Sequence, residues 1–192
     1  MRMGTKTIAL TIGLLVFLGL ASACATSNSL QIDPQAVAQE AQLSPPDSEV
    51  SSPDFTGVDV VTDQRITLSD FKGSVVLLNF VNYGCNQSLN DIVSNQLLII
   101  RELENSREDF VPVSVFCGCC PEQVLRDFAQ QNNLVWPWIL DTDYSIVNDY
   151  IEYLRDYGYP TLVYIDQEQN IKDVSGYTGL EELSARLDVL SN

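Results

Sequence analysis

A nearly continuous apolar segment, residues 74–80 (SVVLLNF), limits the folds open to this chain more than any other feature of its sequence. Apolar and polar residues do not alternate along it, so the segment predicts a strand that is covered on both faces. Residues 86–104 follow with apolar positions at helical spacing, and residues 110–116 (FVPVSVF) form a second apolar segment. A strand, a helix and a strand in this order predict a βαβ unit.

The C-terminal part of the chain continues with further helices and a pair of strands. We expect helices over residues 121–131, 144–155 and 180–190, and strands over residues 161–165 and 171–174. Pro121 is expected at the first helical position, where proline is well tolerated. The polar turn between the two strands predicts a β-hairpin, which the last helix follows.

The first 24 residues have the pattern of a bacterial export signal. Arg2 and Lys6 give a basic start, and the apolar segment 8–20 has 13 residues, fewer than the ~20 that span a bilayer as a helix. The segment ends in Ala-Ser-Ala-Cys, which resembles a lipobox and predicts lipidation of Cys24 as the new N-terminus. The alternatives are a free secreted form and a retained membrane anchor. In each case the domain faces an oxidising compartment.

Residues 25–52 are rich in Ser, Gln, Ala, Pro and acidic residues and lack a hydrophobic pattern sufficient for a core. This composition predicts a flexible tether. The apolar content rises from Pro53 onward, and residues 53–192 are enough for one self-sufficient domain. A lipid on Cys24 would hold that domain at the cell membrane, facing the periplasm or the cell exterior.

Charge and composition exclude several classes of function. Acidic residues outnumber basic ones by 26 to 10 in 192 residues, and because a net charge of −16 repels phosphate backbones, we expect no nucleic-acid partner. The chain has no histidine, which excludes Ser-His-Asp and Cys-His catalysis and His-ligated metals. Five cysteines remain as candidate reactive groups: Cys24, Cys85, Cys117, Cys119 and Cys120. Three of them lie within four residues, which is more typical of a reactive or metal-binding site than of a disulfide scaffold.

Short motifs occur in a fixed order along residues 53–190: PDF at 53–55, ITLSDFKG at 66–73, VVLLNF at 75–80, NYGC at 82–85 and GYPT at 158–161. In this order they resemble the thioredoxin-like superfamily, specifically its TlpA-like and peroxiredoxin-like branch (redoxin, AhpC/TSA). The resemblance implies an α/β thioredoxin-like fold, with a central mixed sheet and helices on both faces. It also implies that Cys85 is the active-site cysteine. Tyr159 and Pro160 would then lie in a cis-proline loop that faces Cys85 and offers backbone groups to a substrate's extended chain.

The chain departs from the family pattern at the active site. Where the family has a C-x-x-C motif, this chain has Cys85-Asn-Gln-Ser88, a CxxS variant. Ser88 can donate a hydrogen bond to a thiolate at Cys85 but cannot resolve a mixed disulfide. The peroxidase signature P-x-x-x-T-x-x-C is also absent, since Leu78 and Asn82 occupy the positions of its proline and threonine.

The position of Cys85 favours a reactive thiolate. It follows a strand and begins a helix, where backbone N–H groups and the helix dipole lower a thiol pKa from about 8.5. Residues 117–120 (CGCC) follow the second strand, and the carboxyl ends of neighbouring parallel strands share one edge of a sheet. We hypothesise that Cys119 or Cys120 replaces the thiol missing at position 88, with Cys117 as a third candidate. Cys120 is expected to occupy a helix N-cap and to have a lowered pKa as well.

Two further positions are of interest because of the resemblance. Asn79, six residues before Cys85, stands where thioredoxin has a buried acid used in proton transfer, and asparagine is neutral there. Asp91, six residues after Cys85, is either a proton acceptor or a solvated helix residue.

The cysteine segment also has rival interpretations. Cys117, Cys119 and Cys120 could join Cys85 in a four-thiolate zinc site, or a subset could bind Cu(I), although the spacing is not that of usual structural zinc sites. A purely structural disulfide could instead join Cys117 to Cys120, or Cys119 to Cys120. Cys85 itself could be an inert remnant in a fold retained for binding. The site we favour contains no metal and no cofactor.

Three functions are therefore open. The preferred one is an exported, membrane-tethered thiol-disulfide oxidoreductase, with Cys85 as the nucleophile and a cysteine of residues 117–120 as the resolving thiol. The second is a peroxidase-like, antioxidant variant that uses an external thiol. The third is a non-enzymatic thiolate module for metal handling or binding. The expected partners are protein thiols and disulfides or small-molecule thiols.

Overall fold

The computed structural model describes residues 50–82, 91–118 and 120–191. The expected export signal lies outside these residues, as does most of the expected tether. Four of the candidate residues also lie outside them: Cys24, Cys85, Ser88 and Cys119. Within the described residues, no helix is both long enough and apolar enough to cross a membrane.

Eight strands occur in the described part of the chain, and six of them form one mixed sheet. The strands are β1 (Val50–Ser51), β2 (Thr56–Val58), β3 (Arg65–Thr67), β4 (Val75–Asn82), β5 (Phe110–Cys117), β6 (Trp138–Asp141), β7 (Thr161–Ile165) and β8 (Asn170–Ser175). The sheet has the order β1-β8-β7-β4-β5-β6, while β2 and β3 form a separate hairpin. The pairs β4–β5 and β5–β6 are parallel, whereas β7 runs antiparallel to β4 and β8. The predicted βαβ unit and β-hairpin are therefore confirmed.

The helices lie on both faces of the sheet, as predicted. They are α1 (Asp91–Ser106), α2 (Glu122–Gln131), α3 (Ser145–Asp149), α4 (Ile151–Leu154) and α5 (Leu180–Leu190), with a 3-10 turn at Leu68–Phe71. Leu77 and Val81 of β4 pack with apolar residues of α1, α2 and α5, whereas Phe80 packs on the opposite side with those of α3 and α4. We call these the α1 face and the α3 face. Right-handed connections between parallel strands bring α1 and α2 to the same face.

The central strand β4 has the burial that its composition predicts. Every residue from Val75 to Val81 is buried, and only Asn82 at its end is exposed. Its β-branched and aromatic residues suit a pleated strand with side chains on both faces. Because both faces are covered, the sequence shows no alternation.

The segment expected to form one helix over residues 144–155 is helical but divided, since α3 and α4 are separated at Tyr150. Tyr150 has φ −106° and ψ 8°, outside the helical region. Its ring is fully buried against Phe55 and Phe80, and its hydroxyl donates a 2.7 Å hydrogen bond to the Pro53 carbonyl. Burial of a tyrosine requires such a partner, and here the partner is 97 residues away. The apolar spacing around Tyr150 does not indicate this distant partner.

Strand β6 was not expected from the sequence, because four residues are too few for a recognisable pattern. Its Trp138 ring stacks on Phe116 with centroids 4.7 Å apart, and its backbone N–H donates to the Asp59 carboxylate at 3.0 Å. The Val60 N–H in turn donates to the Trp138 carbonyl at 2.8 Å. The segment that follows β2 thus covers the outer edge of β6, which would otherwise be open to pairing with another chain.

Gly57 makes the close approach between β2 and β6 possible. A Cβ atom added at Gly57 would lie 2.4 Å from Ile139 Cγ2, and Ile139 is buried. We expect Gly57→Ala to lower the free energy of unfolding by about 1–3 kcal/mol through overpacking. Urea unfolding followed by circular dichroism measures this change.

Gly176→Ala is the matched control, because its added Cβ would meet no atom closer than 3.6 Å. It should change the stability by less than about 0.5 kcal/mol. Equal destabilisation by the two substitutions would show that the β2–β6 contact is looser than described here.

Candidate active site

The register of the parallel strands brings several loops to one edge of the sheet. Asn82 at the end of β4 pairs with Cys117 at the end of β5, which pairs with Asp141 at the end of β6. Strand β7 enters the sheet at the same edge, with Thr161 opposite Phe80. Among the described residues, 118, 120–121, 142–144 and 158–160 therefore adjoin this edge. The cysteine segment was expected to follow the strand; instead Cys117 is the last residue of β5, at the edge where β4 also ends.

Cys117 is the last residue of β5 and its thiol is fully buried on the α3 face, in the cluster that contains Phe80. Its thiol points to the Val115 carbonyl at 4.0 Å, and Tyr159 packs against the same cluster. Burial raises the pKa of Cys117 to about 12, and the nearby Asp141 carboxylate acts in the same direction. At pH 7 only about one molecule in 100,000 would carry the thiolate there, so Cys117 is a poor nucleophile.

Cys120 belongs to the cluster on the α1 face, with Phe116 and Trp138, and is 6 % exposed. Its thiol donates to the Pro121 carbonyl at 3.4 Å. The expected N-cap role is wrong, because the N-cap of α2 is Pro121 and the helix begins at Glu122. The expected low pKa is wrong as well, since burial raises the pKa of Cys120 to about 11. The helix N-terminus does not stabilise a thiolate that packs in an apolar cluster instead.

The alternative of a structural disulfide between Cys117 and Cys120 is also wrong. Both thiols are free, and they lie in clusters on opposite faces of the sheet. Within the described residues, no three cysteine or acidic side chains are grouped so that they could hold a metal ion. The four-thiolate alternative includes two cysteines outside those residues and stays a prediction.

A surface cleft of about 410 Å³ lies beside Cys120. It is lined by Gly118, Cys120, Pro121, Thr142 and Tyr144. Cys117, on the other face, does not line it. Cys120 is therefore the described thiol that adjoins a space open to solvent.

The loop before β7 contains a cis peptide bond between Tyr159 and Pro160, as the resemblance implied. Pro160 is buried and Tyr159 is half-buried on the α3 face. Two anchors hold the residues on either side. The Gly158 N–H donates to the Leu154 carbonyl at 3.0 Å, and the Thr161 hydroxyl donates to the Gly158 carbonyl at 2.5 Å.

Three polar side chains complete the surroundings of this edge. Asn79 is fully buried on the α1 face, and its amide has no hydrogen-bond partner in the described part of the chain. Asp91 is exposed at the start of α1 as described. Asp141, which sequence reasoning missed, is buried, accepts from the Val147 N–H at 2.9 Å, and has a pKa raised by burial. The sequence signal for Asp141 was an acidic residue at the end of a short apolar segment, residues 138–141 (WILD).

Alkylation of the reduced protein tests these thiol assignments. At pH 8 we expect Cys120 to react with iodoacetamide roughly 100-fold more slowly than in urea-unfolded protein, because its thiolate fraction is that much smaller. The rate should rise about tenfold per pH unit until the pH approaches 11. Cys117 should react more slowly still at every pH. Peptide mass spectrometry separates the two sites, and a Cys120 rate equal to the unfolded reference would contradict the raised pKa.

The chain matches the family model described as AhpC/TSA family over residues 50–174. Among curated protein sequences, none matches it significantly. Solved structures that resemble it include a thiol:disulfide interchange protein of Chlorobium tepidum TLS, with TM-score 0.61, 16 % identity, and 76 % of this chain and 98 % of that chain covered.

Two exported proteins are among the other similar structures. One is a secreted Mycobacterium tuberculosis disulfide oxidoreductase homologous to E. coli DsbE (TM-score 0.58, 15 % identity, 71 % of this chain and 96 % of that chain covered). The other is the exposed lipoprotein thioredoxin of Streptococcus pneumoniae strain TIGR4 (TM-score 0.55, 20 % identity, 72 % and 100 % covered). These similarities establish the fold. The chain therefore belongs to the AhpC/TSA family and has the thioredoxin-like fold that its motifs predicted.

Proposed function

We propose that this protein is an exported thiol-disulfide oxidoreductase in which Cys85 is the nucleophile and Cys119 or Cys120 is the resolving thiol. Membership of the AhpC/TSA family supports thiol chemistry. The names of the similar structures, an interchange protein and a disulfide oxidoreductase, support disulfide exchange as the reaction. Protein thiols and disulfides, or small-molecule thiols, are the corresponding substrates, and no cofactor takes part.

The observation that carries the proposal is the pairing of Asn82 with Cys117 at the edge of the sheet. Cys85 lies three residues beyond Asn82, so their Cα atoms are at most about 11 Å apart, and the same limit applies to Cys120 and Cys117. The two loops start from adjacent strands, which are about 4.8 Å apart. Two such short loops can bring their Cα atoms within the roughly 7 Å that a disulfide requires.

The exchange with a substrate disulfide needs only the Cys85 thiolate and the resolving thiol. The Cys85 thiolate attacks one sulfur of a substrate disulfide, which forms a mixed disulfide and releases one substrate thiolate that takes up a proton. The resolving thiolate then attacks the Cys85 sulfur, releases the second substrate thiol, and leaves an intramolecular disulfide. An external dithiol reduces that disulfide and restores both thiols. The same steps in reverse oxidise a substrate dithiol.

Burial and access favour Cys120 over Cys117 as the described resolving candidate. Burial raises the pKa of Cys117 further than that of Cys120, and Cys120 lines the surface cleft. Its pKa is nevertheless high for a nucleophile, so we expect resolution to be slow and the mixed disulfide at Cys85 to accumulate. Cys119 is the alternative partner.

Peroxide reduction is the second candidate function, because the matching family model is that of AhpC/TSA. Leu78 and Asn82 stand in place of the proline and threonine of the peroxidase signature. Asn82 has no hydroxyl group with which to replace that of the signature threonine. This substitution favours disulfide exchange over peroxide reduction.

Substitution of single cysteines tests the reaction. In dithiothreitol-dependent reduction of insulin, we expect Cys85→Ser to abolish catalysis above background. Of Cys119→Ser and Cys120→Ser, the variant that lacks the resolving thiol should trap a Cys85–substrate mixed disulfide. Mapping of the other variant, unreduced and alkylated, should find a peptide that links residue 85 to its remaining cysteine of that pair. The Cys119→Ser/Cys120→Ser double variant should regain resolution when Ser88→Cys restores a C-x-x-C motif.

Two results would contradict this proposal. If Cys85→Ser reduced insulin at the rate of the wild-type protein, Cys85 could not be the nucleophile. Consumption of hydrogen peroxide by the reduced protein without any disulfide exchange would favour the peroxidase instead.

Export and lipidation of Cys24 are part of the same proposal. The lipobox-like Ala-Ser-Ala-Cys sequence supports them, and a secreted protein and a lipoprotein occur among the similar structures. In a bacterial host with lipoprotein processing, we expect the protein in the membrane fraction and Cys24→Ser in the soluble exported fraction. The mass of the mature N-terminal peptide identifies the lipid. An unmodified mature N-terminus would instead indicate the free secreted form.

A further inference from the structure

A surface groove of about 470 Å³ lies between α1 and α5. Its apolar lining consists of Leu103 from α1 with Leu180 and Ala185 from α5. Leu103 is only 5 % exposed and Leu180 is half-buried, and both pack on the core of the α1 face, so they form the bottom of the groove. Ala185 is exposed. A partner segment in this groove would remove apolar surface from water, which is the main source of affinity in protein association.

The polar lining of the groove is acidic. Glu102 of α1 and Glu181 and Asp188 of α5 are exposed carboxylates, and none of the described residues that line the groove is basic. Asp188 pairs with Arg107 at 3.0 Å, whereas Glu102 and Glu181 form no ion pair with any residue that the structure describes. The groove therefore attracts positively charged groups.

The spacing of the carboxylates fits a polypeptide better than a single cation. Glu181, Ala185 and Asp188 stand at positions i, i+4 and i+7 of α5 and so share one side of the helix. Glu181 and Asp188 are roughly 10 Å apart along the helix axis. Within the described residues, no three acidic or cysteine side chains are grouped so that they could hold a metal ion. A helix with basic residues about two turns apart and apolar residues between them matches this lining.

Arg107 fixes the two walls of the groove relative to each other. It directly follows α1, and its backbone N–H donates to the Leu103 carbonyl at 3.0 Å. Its guanidinium donates to the Ser184 carbonyl at 3.3 Å and to the Ser184 hydroxyl at 3.2 Å, in addition to its pair with Asp188. The end of α1 is thus tied to α5. A groove that is already formed loses less conformational entropy when a partner binds.

The groove lies toward the end of α1 that is remote from the candidate active site. Ser106 ends α1, and the chain then enters β5 at Phe110, which pairs with Val75 at the start of β4. Asn82 and Cys117 end these two strands at the opposite edge of the sheet. A partner in the groove would therefore leave the edge with the cysteine segment open.

We propose that this groove is a docking site for a basic, amphipathic helix of a partner protein. Apolar side chains of that helix pack on Leu103 and Leu180, and its lysine or arginine side chains pair with Glu102 and Glu181. A second copy of this chain is a poor occupant, because a chain with 26 acidic and 10 basic residues repels its own copies. The docking site does not depend on the exchange reaction.

Fluorescence anisotropy with a synthetic peptide tests the inference on the full, reduced chain. The probe is a fluorescein-labelled peptide of alanine, leucine and lysine with one apolar face, and about 15 residues are enough for a helix. We expect saturable binding that weakens several-fold when NaCl is raised from about 50 to about 500 mM, because salt screens exposed charges. A peptide of the same composition without an apolar face should bind at least about tenfold more weakly.

Substitutions in the groove should weaken the binding of this peptide. Glu102→Gln and Glu181→Gln should each do so by about 1.5- to 5-fold, the effect of one exposed charge pair. Ala185→Arg should abolish binding, because its long basic side chain would occupy the groove and repel the lysines. Ala185 is exposed and arginine is a good helix former, so this variant should keep the fold.

Glu152→Gln is the matched control. Glu152 is an exposed glutamate of α4, which packs on the opposite face of the sheet. Its substitution removes the same charge from the protein as Glu102→Gln does, and it should leave the affinity for the peptide unchanged.

NMR locates the binding site. Addition of the peptide should shift amide signals of residues 102–106 and 180–188, and shifts confined to other parts of the chain would contradict the site. The absence of saturable binding, binding that survives Ala185→Arg, or an equal loss of affinity with Glu152→Gln would each overturn the inference. A dimer of the full chain that Ala185→Arg dissociates, measured by sedimentation, would make a second copy the occupant and would overturn it as well.

Discussion

The alignment of β4, β5 and β6 in parallel register is the constraint on which the rest of this structure depends. It sets Asn82, Cys117 and Asp141 side by side, so that the chain leaves all three strands at one edge. Hydrophobic burial maintains this register, because a shift by one residue would move every β4 side chain to the opposite face. The candidate chemistry therefore depends on the packing of the two cores as much as on the cysteines.

The sheet also separates the thiols that the sequence groups together. Cys117 ends a strand and its side chain follows the alternation of that strand to the α3 face, whereas Cys120 lies past the strand end and packs on the α1 face. Cys117 and Cys120 are three positions apart in the sequence but lie in two different environments. This separation is why we assign exchange chemistry to the loop cysteines and not to the strand cysteine.

Burial dominates the ionisation of both described thiols. The helix that follows Cys120 was expected to lower the pKa of its thiol, but the thiol packs among apolar side chains and donates to a neighbouring carbonyl. Desolvation disfavours a thiolate in such a site, and a helix dipole acts only where its N–H groups face the sulfur. In this family member, any fast nucleophile near the sheet edge is therefore expected outside the two described cysteines, which is consistent with the role proposed for Cys85.

Elements with strong local patterns were predictable from the sequence. The strand Thr161–Ile165 and the helix Leu180–Leu190 have the bounds that were expected, and β4 differs by one or two residues at its ends. Strand β6 and the interruption at Tyr150 were missed, because distant partners determine both. Trp138 is held by Asp59 and Phe116, and the Tyr150 hydroxyl by Pro53.

The sequence by itself determined the α/β class, the βαβ unit with the hairpin and helix that follow it, and the sheet edge at which the cysteine segment begins. The class and these elements follow from apolar periodicity, which is a local property of the chain. Only the tertiary structure decided that the two described thiols lie on opposite faces of the sheet and that Cys120 is the one that adjoins a cleft. The physical reason is that burial and hydrogen bonding depend on residues that are distant in sequence and meet only when the sheet and its two layers of helices pack.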